Sequence, residues 1–340
     1  MKFGMSAGMP PEASQLEIVS AAAANGFDQI WVWDSHIIWN ETYTLIGWLV
    51  GKLGDAALNL DWGTLVTNPA TRDPLVTASA FATLNNITGG RAICGIGRGD
   101  SAARVLGRKP VTLADVEYAT DAIHHLTAGE AFETPNGVQA RLATGHEPWT
   151  TAGRVPVYHG AYGPKALTLA GRVADGVIFQ IADPFFIEWG LQYVHAGAKE
   201  AGRDPRDIVV HCSTASVVTS DAESAREQLR WFPAAVGNHI ADVLQKNDPG
   251  NIPSDITNYI AQRPAYDYSE HGERGTEHSK YVPDEIVDRF CVHGTPEQIT
   301  EKLLHLKAIG VNEFNLYPQV PDIKGIIETD GRDIIGRVNA

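Results

Sequence analysis

The feature of this sequence that most restricts its fold is a regular alternation of short apolar, β-branched segments with longer segments of helical pattern. Strands are predicted at residues 2–5, 28–33, 58–66, 91–96, 155–159, 176–180, 208–218 and 313–317. Helices are predicted at residues 11–25, 74–84, 112–126, 163–173, 184–201 and from 296 to just before Gly310. Strands separated by helices pair in parallel, because parallel neighbours need crossover connections. Eight such strands predict a closed (β/α)8 TIM barrel.

Two of the predicted helices begin with clear capping patterns. Thr112 is followed three residues later by Asp115, which is close to a capping box. Thr295 precedes Pro296 and is followed by Gln298 at the third helical position. These patterns fix where the two helices should begin.

The chain is longer than a simple barrel needs, since a (β/α)8 domain typically takes about 250 residues and this chain has 340. The surplus lies mainly in residues 220–287, before strand eight. It begins with helical pattern at residues 222–244 and becomes polar around residues 247–250 and 271–275. We expect one barrel domain over residues 1–340 with an inserted segment at 221–284. That segment is predicted to be a lid over the barrel mouth, with a dimer contact or a floppy loop as alternatives.

Composition argues against several classes of protein. The net charge of −14 disfavours binding to nucleic acid or to an anionic membrane, because both need a basic face. The three cysteines are far apart and odd in number, which predicts neither a disulfide framework nor a metal site and fits a reducing cytoplasm. The sequence has no apolar run of about 18 residues and begins without a signal-peptide pattern. We therefore expect a cytoplasmic protein whose partner is a small-molecule substrate.

Polar residues follow several predicted strands, at the end where a barrel carries its chemistry. Asp34, Ser35 and His36 come directly after strand two. The later groups are TNPATRDP (67–74), GIGRGDSA (95–102), HGAYGPK (159–165), and Gln180 with Asp183. If the barrel closes, all of these groups meet at one mouth.

The segment GIGRGDSA contains the pattern G-x-G-x-x-A at Gly97, Gly99 and Ala102. It matches a relaxed dinucleotide fingerprint, but it lies in mid-chain and the following acidic residues fall on a helix. Glycine here indicates close backbone approach or a positive φ. Arg98 and Arg104 place positive charge beside it.

The segment HGAYGPK is the better candidate for binding a phosphate. Gly160, Ala161 and Gly163 can turn successive amide hydrogens inward, and Pro164 is suited to open the next helix. Such amides, together with a helix N-terminus, bind an anion without a charged side chain. An ordinary tight strand-to-helix turn is the alternative. The chain has no H-E-x-x-H or P-loop motif, so zinc-protease and P-loop chemistry have no support.

Five segments, taken in chain order, resemble the bacterial-luciferase-like superfamily of flavin and deazaflavin barrels. They are GFDQIWVWDS (26–35), GTLVTNPATRDPLVTASAFATL (63–84), GRAICGIGRGDSA (90–102), VPVYHGAYGPKALTLAGRVADGVIF (155–179) and DRFCVHGTPEQITEKLLHLKAIGVNEFNLY (288–317). The resemblance is strongest to the coenzyme F420-dependent branch, which includes methylenetetrahydromethanopterin reductase and F420-dependent glucose-6-phosphate dehydrogenase.

The resemblance implies a cofactor whose tricyclic ring lies in the barrel mouth. It implies a cis peptide bond between Leu65 and Val66 behind that ring, and it places Asp34 and Asp100 near the ring. Asp100 stands where the sugar-phosphate enzyme has a glutamate proton donor. The predicted cofactor contacts are Asp34, Leu65, Val66, Thr67, Asn68, Arg98, Gly99, Asp100, Gly160, Ala161, Tyr162 and Gly163. The last four are expected to hold the cofactor phosphate.

Two positions depart from the family's pattern. Ser35 occupies the position of the family's catalytic histidine, and His36 follows one residue later. Asp183 replaces a lysine that holds sugar phosphate, and an acid there would repel a phosphate, which argues against glucose 6-phosphate as substrate. The predicted catalytic residues are Asp34, Ser35, His36 and Asp100. The predicted substrate contacts are Trp39, Gln180 and Arg289.

The leading functional hypothesis is an F420-dependent oxidoreductase. It would transfer a hydride between the deazaflavin and a small organic substrate: a carbonyl or alcohol, an imine or an activated alkene. The first alternative is an FMN-dependent luciferase-like monooxygenase, because a cavity for one tricyclic ring can often hold the other. The second is a non-catalytic flavin-binding protein that lost its base at Ser35. The resemblance also implies a homodimer.

Overall fold

Eight parallel strands close into a barrel in the computed structural model, which describes residues 1–8, 12–247, 252–263 and 275–340. The strands are β1 (Lys2–Ala7), β2 (Gln29–Val32), β3 (Asp61–Thr64), β4 (Ala92–Ile96), β5 (Val157–Gly160), β6 (Gly176–Phe179), β7 (Val209–Val218) and β8 (Glu313–Tyr317). Each strand pairs with the next along the chain, and β8 pairs with β1. The predicted (β/α)8 barrel is confirmed.

Helices connect the strands and surround the barrel. They are α1 (Ala13–Ala24), α2 (Thr42–Leu53), α3 (Pro74–Ile87), α4 (Asp100–Arg104), α5 (Leu113–Thr127), α6 (Pro164–Val173), α7 (Pro184–Glu200), α8 (Ala222–Leu229), α9 (Trp231–Lys246), α10 (Ser254–Gln262), α11 (Asp284–Phe290), α12 (Pro296–Ala308), α13 (Ile323–Thr329) and α14 (Gly336–Asn339). Short hairpins lie between α5 and β5, and Val292–Gly294 pairs with the end of β7.

Both predicted capping patterns are present, and each forms a capping box. Thr112 accepts a hydrogen bond from the Asp115 amide at the start of α5. Thr295 does the same for Gln298 at the start of α12, with Pro296 in the first turn. Side-chain caps satisfy amides that have no partner within the helix, and they fix the first turns of these helices.

The structure differs from the predicted elements in several places, of which two are informative. The continuous helix predicted at residues 222–244 is divided into α8 and α9 at Arg230. Pro233 explains the break, because its ring clashes with the carbonyl four residues earlier, at Leu229. The helix α2 was not predicted, since its two glycines and its β-branched residues have low helix propensity.

Trp31 fills the barrel interior and determines where a cleft can form. A Cβ atom on Gly63 would lie 2.3 Å from its ring, so this neighbour must lack a side chain. The ring also contacts Tyr158 and His211, with centroids 6.0 and 4.5 Å away. Because side chains alternate along a strand, Trp33 points to the same side as Trp31 but nearer the carboxyl end. The interior is therefore closed around Trp31, and open space begins at Trp33.

The helices α6 and α7 pack backbone against backbone. A Cβ atom on Gly171 would lie 2.0 Å from the Val194 carbonyl oxygen, and one on Gly197 would lie 2.0 Å from the Thr168 carbonyl oxygen. This contact holds the helices that follow β5 and β6 against the barrel wall.

We predict that Gly197→Ala lowers the free energy of unfolding by about 1–3 kcal/mol, because the added methyl group forces the two helices apart. Gly47→Ala is the matched control, since it lies within α2 with nothing within 4 Å of the new Cβ atom. It should raise stability by about 1 kcal/mol through helix propensity. Urea unfolding measures both changes. Equal effects from the two substitutions would contradict the proposed α6–α7 contact.

Candidate active site

A cleft lies at the carboxyl ends of the barrel strands, and it encloses about 1080 Å³ of space including its open mouth. Residues that follow six of the strands line it, and so does α9. The lining residues are Trp33, Asp34, Ser35, Trp39, Leu65, Val66, Asn68, Gly99, Asp100, Ser101, Ala102, Gly160, Tyr162, Ile178, Gln180, Trp231, Phe232, Ala235, Val236, His239, Tyr317 and Gln319. The structure thus brings together Asp34, Val66, Asp100 and Gly160, which are remote in the chain.

Aromatic rings form one wall of the cleft. The Trp33 ring lies 4.4 Å from Trp39 and stacks on Tyr317 at 5.5 Å, measured between centroids. Phe232 lies 5.4 Å from Tyr317, and Trp231 approaches the same ring at 6.5 Å. These rings exclude water from one side of the cleft and offer a flat apolar surface.

A row of neutral hydrogen-bonding groups crosses the cleft beside this wall. The Tyr162 hydroxyl donates to Oε1 of Gln180 at 2.7 Å. The Gln180 amide nitrogen donates in turn to the Tyr317 hydroxyl oxygen. Burial raises the pKa of Tyr317 to about 12, so its hydroxyl stays protonated at neutral pH. The row can orient a polar substrate atom without adding a charge.

Asp34 is held in a fixed position at the end of β2, where it is only 4% exposed. Its Oδ2 accepts a hydrogen bond from the Thr67 hydroxyl at 2.7 Å, and Thr67 accepts one from the Tyr43 hydroxyl at 3.0 Å. Arg72 lies 3.7 Å from its Oδ1 and also pairs with Glu41 at 2.9 Å. These contacts stabilise a buried carboxylate that needs a partner for its charge.

The peptide bond between Leu65 and Val66 is cis, as the resemblance implies. A Cβ atom on Gly97 would lie 3.0 Å from Val66, and one on Gly160 would lie 3.5 Å from it. Gly97 after β4 and Gly160 at the end of β5 therefore leave space for the Val66 side chain to enter the cleft. Gly99 has φ of +76° and lies against Asn68. Close packing explains the glycine pattern of GIGRGDSA, without a dinucleotide.

Asn68 presents an amide donor that has no partner among the described residues. Its Oδ1 accepts hydrogen bonds from the Ala70 and Thr71 amides, each at 3.1 Å, and from the Thr71 hydroxyl. These three donors fix which side of the amide is oxygen. Nδ2 is therefore a buried donor on a residue that lines the cleft and is 1% exposed. A buried donor without a hydrogen-bond partner lowers the stability of the folded protein. Its presence here fits a site in which a polar ligand accepts this hydrogen bond.

The turn after β5 leads into α6 as its sequence predicts. Gly163 is the N-cap and Pro164 is the first helical residue. Gly160 and Tyr162 line the cleft, whereas Ala161 is buried behind them. The first amides of a helix lack partners within it, so they are available to an anion at this end. Binding of a cofactor phosphate here stays a prediction.

Six of the predicted site residues do not line the cleft, namely His36, Thr67, Arg98, Ala161, Gly163 and Arg289. His36 is exposed, because Ser35 begins a turn by accepting hydrogen bonds from the Ile38 and Trp39 amides at 2.8 and 2.9 Å. Arg98 is also exposed, and its Nε donates to the carbonyl oxygen of Val111 at 2.6 Å. In contrast, the Ser35 hydroxyl faces the cleft and lies 2.7 Å from the Ser101 hydroxyl.

Arg289 and Asp183 form a structural ion pair at 2.8 Å, and neither of them lines the cleft. Asp183 is 1% exposed and caps α7 by accepting a hydrogen bond from the Phe186 amide. Arg289 also lies 3.5 Å from Asp255. The expectation that Asp183 repels a substrate phosphate is corrected, because Arg289 offsets its charge and the helix cap engages its carboxylate. Arg289 is likewise turned toward these acids and away from the substrate space.

Asp100 lines the cleft at the start of α4 but lacks the burial expected of a proton donor. Its side chain is 27% exposed, and Arg104 Nε lies 2.5 Å from its Oδ1. Asp100 is thus one member of a partly exposed ion pair at the cleft edge.

Sequence reasoning missed the contribution of α9. Trp231, Ala235 and His239 follow one another at intervals of four residues, and Phe232 and Val236 repeat this interval beside them. Such spacing places all five on one helix face. The pattern was visible in the sequence, but only the barrel showed what that face covers. This contact supports the expected lid over the mouth.

A model of the luciferase-like monooxygenase family matches residues 3–313. The chain belongs to this family. It is 33% identical over 323 residues to 5,10-methylenetetrahydromethanopterin reductase of Methanolobus tindarius, covering 93% of each protein. It is 31% identical over 239 residues to F420-dependent glucose-6-phosphate dehydrogenase of Nakamurella multipartita, covering 66% of this chain and 69% of that enzyme.

The fold of this family member has also been seen in a related solved structure. The coenzyme F420-dependent tetrahydromethanopterin reductase of Methanopyrus kandleri matches it with a TM-score of 0.78 at 23% identity, over 99% of each chain. The relatives that are 31–33% identical confirm the resemblance to the F420-dependent branch. Within the described ranges, no helix is long and apolar enough to span a membrane. The same residues bring together no group of three or more His, Cys, Asp or Glu side chains suited to a metal ion.

We predict that Thr67→Val lowers the free energy of unfolding by about 1–3 kcal/mol, because it leaves Asp34 and the Tyr43 hydroxyl without their shared partner. The new side chain has nearly the same shape, so packing should change little. Thr83→Val on the exposed face of α3 is the control and should change stability by less than about 0.5 kcal/mol. Urea denaturation measures both variants, and a harmless Thr67→Val would argue against this network.

Proposed function

We propose that this protein is a coenzyme F420-dependent oxidoreductase that transfers a hydride between the deazaflavin and a small uncharged organic substrate. The observation that carries the proposal is the 33% identity to a methylenetetrahydromethanopterin reductase across 93% of both chains. The cleft supports it, because the cis bond at Leu65, the entering Val66 side chain and the unpaired Asn68 amide lie where the resemblance expects a ring.

The residues of the cleft fit a planar heterocycle with polar edges. When bound, the deazaflavin supplies two-electron hydride chemistry, while the protein supplies position and electrostatics. Val66 would support one face of the ring, and Asn68 Nδ2 would donate a hydrogen bond to it. The turn from Gly160 to Gly163 offers amides to the cofactor phosphate. The Thr67 network holds Asp34 beside the ring.

The substrate space favours a neutral molecule. No lysine or arginine is among the described residues that line the cleft, and its two acids, Asp34 and Asp100, face guanidinium groups of their own. The Trp33 and Trp39 rings provide an apolar surface, and the Gln180–Tyr317 row provides neutral hydrogen bonds. A ketone, secondary alcohol, imine or activated alkene suits these groups.

An FMN-dependent monooxygenase is the second candidate, because the chain belongs to the luciferase-like monooxygenase family. Titration of the purified protein with F420 and with FMN separates the two. We expect F420 to bind at least tenfold more tightly, with no oxygen uptake in the presence of either reduced cofactor. Tight FMN binding with rapid oxygen uptake would replace our proposal. Tight binding of either cofactor without any turnover would favour a non-catalytic binding protein.

We predict that Asn68→Asp weakens F420 binding by about tenfold or more, because it replaces the buried donor with an acceptor. The hydrogen bonds that Oδ1 accepts are preserved. Asn86→Asp makes the same chemical change at a site whose oxygen also accepts backbone hydrogen bonds, but outside the cleft. It should leave F420 affinity unchanged. Fluorescence titration measures both, and equal affinities for all three proteins would exclude Asn68 from the cofactor site.

We also predict that a carboxylate on the substrate lowers kcat/KM by about tenfold or more relative to a neutral analogue of the same carbon skeleton. No cation among the described lining residues compensates for its desolvation. Cyclohexanone and 4-oxocyclohexanecarboxylate form a suitable pair, measured through oxidation of reduced F420. A preference for the charged ketone would contradict an uncharged substrate class.

Assembly and location complete the proposal. We expect a homodimer, which sedimentation velocity tests directly. A reducing cytoplasm is supported by Cys94, Cys212 and Cys291, all buried and unpaired. The inserted segment at 221–284 is proposed to act as the lid of the single barrel domain, because α9 within it lines the cleft. Its residues 248–251 and 264–274 lie outside the described part of the chain.

A further inference from the structure

His239 on α9 is the one histidine among the described lining residues of the cleft. Its ring stacks on Tyr162, with centroids 4.5 Å apart and planes 17° apart. Neither ring nitrogen forms a hydrogen bond with the described part of the chain, in contrast to His124, His159 and His293. Stacking fixes the orientation of the imidazole while leaving its nitrogens available to a ligand.

We propose that His239 is the catalytic residue that exchanges a proton with the substrate heteroatom. This inference rests on the proposed oxidoreductase function. In alcohol oxidation, the neutral imidazole takes the hydroxyl proton while the carbinol carbon loses a hydride to the cofactor, which leaves a ketone and an imidazolium. In the reverse direction the carbonyl carbon gains the hydride, and the oxygen takes the proton from the imidazolium.

The other candidates in the cleft are less suited to this exchange. Asp34 is held by Thr67 and lies near Arg72, and Asp100 pairs with Arg104. The hydroxyl of Tyr317 is kept protonated by its raised pKa of about 12. The side chain of a histidine is the one whose ordinary pKa lies near neutrality. Among the described lining residues, only His239 meets that requirement.

Charged groups from several elements surround His239. Burial lowers the pKa of its imidazole, and Arg104 on α4 and Arg263 after α10 act in the same direction. Asp100 on α4 and Asp242 on its own helix oppose this effect. The aromatic face of Tyr162 is neutral. Since the net shift is downward from 6.5, the imidazole is neutral at pH 7 and ready to accept a proton.

The sign of the pH dependence follows from this charge state. Alcohol oxidation requires neutral His239, so its rate is high at pH 7 and falls as the pH drops below the lowered pKa. Ketone reduction requires the protonated form, so its rate falls as the pH rises through the same value. A shared pKa with opposite limbs in the two directions identifies a single acid–base group.

The test compares full-length wild-type protein with His239→Gln, which keeps a polar side chain but does not titrate. F420-linked oxidation of cyclohexanol and reduction of cyclohexanone are followed from pH 5 to 9. We expect kcat to fall roughly 100-fold or more in the variant, with loss of the limb that depends on the imidazole and unchanged F420 affinity. His195→Gln, on the exposed surface of α7, is the matched control and should behave as wild type.

A second measurement does not depend on turnover. In NMR titrations, one imidazole signal that is absent from His239→Gln should titrate below 6.5 and shift when cyclohexanone is added to the F420-loaded protein. An unchanged pH profile in the variant overturns the inference. So does a His239 signal whose chemical shift stays the same when the ketone is added. If wild-type protein fails to bind F420, the proposed function is wrong, and so is this inference, which rests on it. If the wild-type protein catalyses the reaction and His239→Gln has the same kcat, the proposed function stands and only this inference is wrong.

Discussion

The ends of β3 and β4 approach so closely that a Cβ atom on Gly95 would lie 2.0 Å from the carbonyl oxygen of Thr64. In return, the Gly95 carbonyl oxygen accepts hydrogen bonds from the Thr64 hydroxyl at 2.7 Å and the Thr67 amide at 2.8 Å. This contact holds the segment after β3 against its neighbour. The Val66 side chain, the Thr67 hydroxyl that binds Asp34 and the Asn68 amide all depend on the position of that segment. The geometry of the whole cleft therefore depends on the absence of a side chain at Gly95 in β4.

Charge is balanced locally around the cleft. Asp34, Asp100 and Asp183 each have an arginine within ion-pair distance, namely Arg72, Arg104 and Arg289. Arg72 also lies over the Tyr43 ring at 4.4 Å, which restricts it further. These arginines stabilise acids and are thereby withdrawn from ligand binding. A chain with a net charge of −14 can in this way keep a cleft suited to uncharged molecules.

The sequence allowed the barrel and much of its rim to be predicted, because both follow from local patterns. Strand–helix alternation gave the eight strands, and glycine-rich turns marked the positions where backbone segments approach each other. The orientation of His36 was not predictable, because the turn that begins at Ser35 rotates it outward. The proposed role of His239 could not be predicted from the sequence for a different reason. A helix face shows its spacing in the sequence, but the surface it covers depends on how distant segments pack.

The break between α8 and α9 has a consequence for how this fold can diversify. Arg226 and Arg230, at the end of α8 and in the break itself, pair with Asp288 and Asp284 of α11. The segment that carries Trp231 and His239 is thus anchored to the outer side of the barrel by its own ionic contacts. Exchange of this segment between homologous enzymes could change which molecules are accepted, and how their protons move, while the barrel continues to hold the same redox partner. Selectivity and electron transfer are in this sense separable parts of one chain.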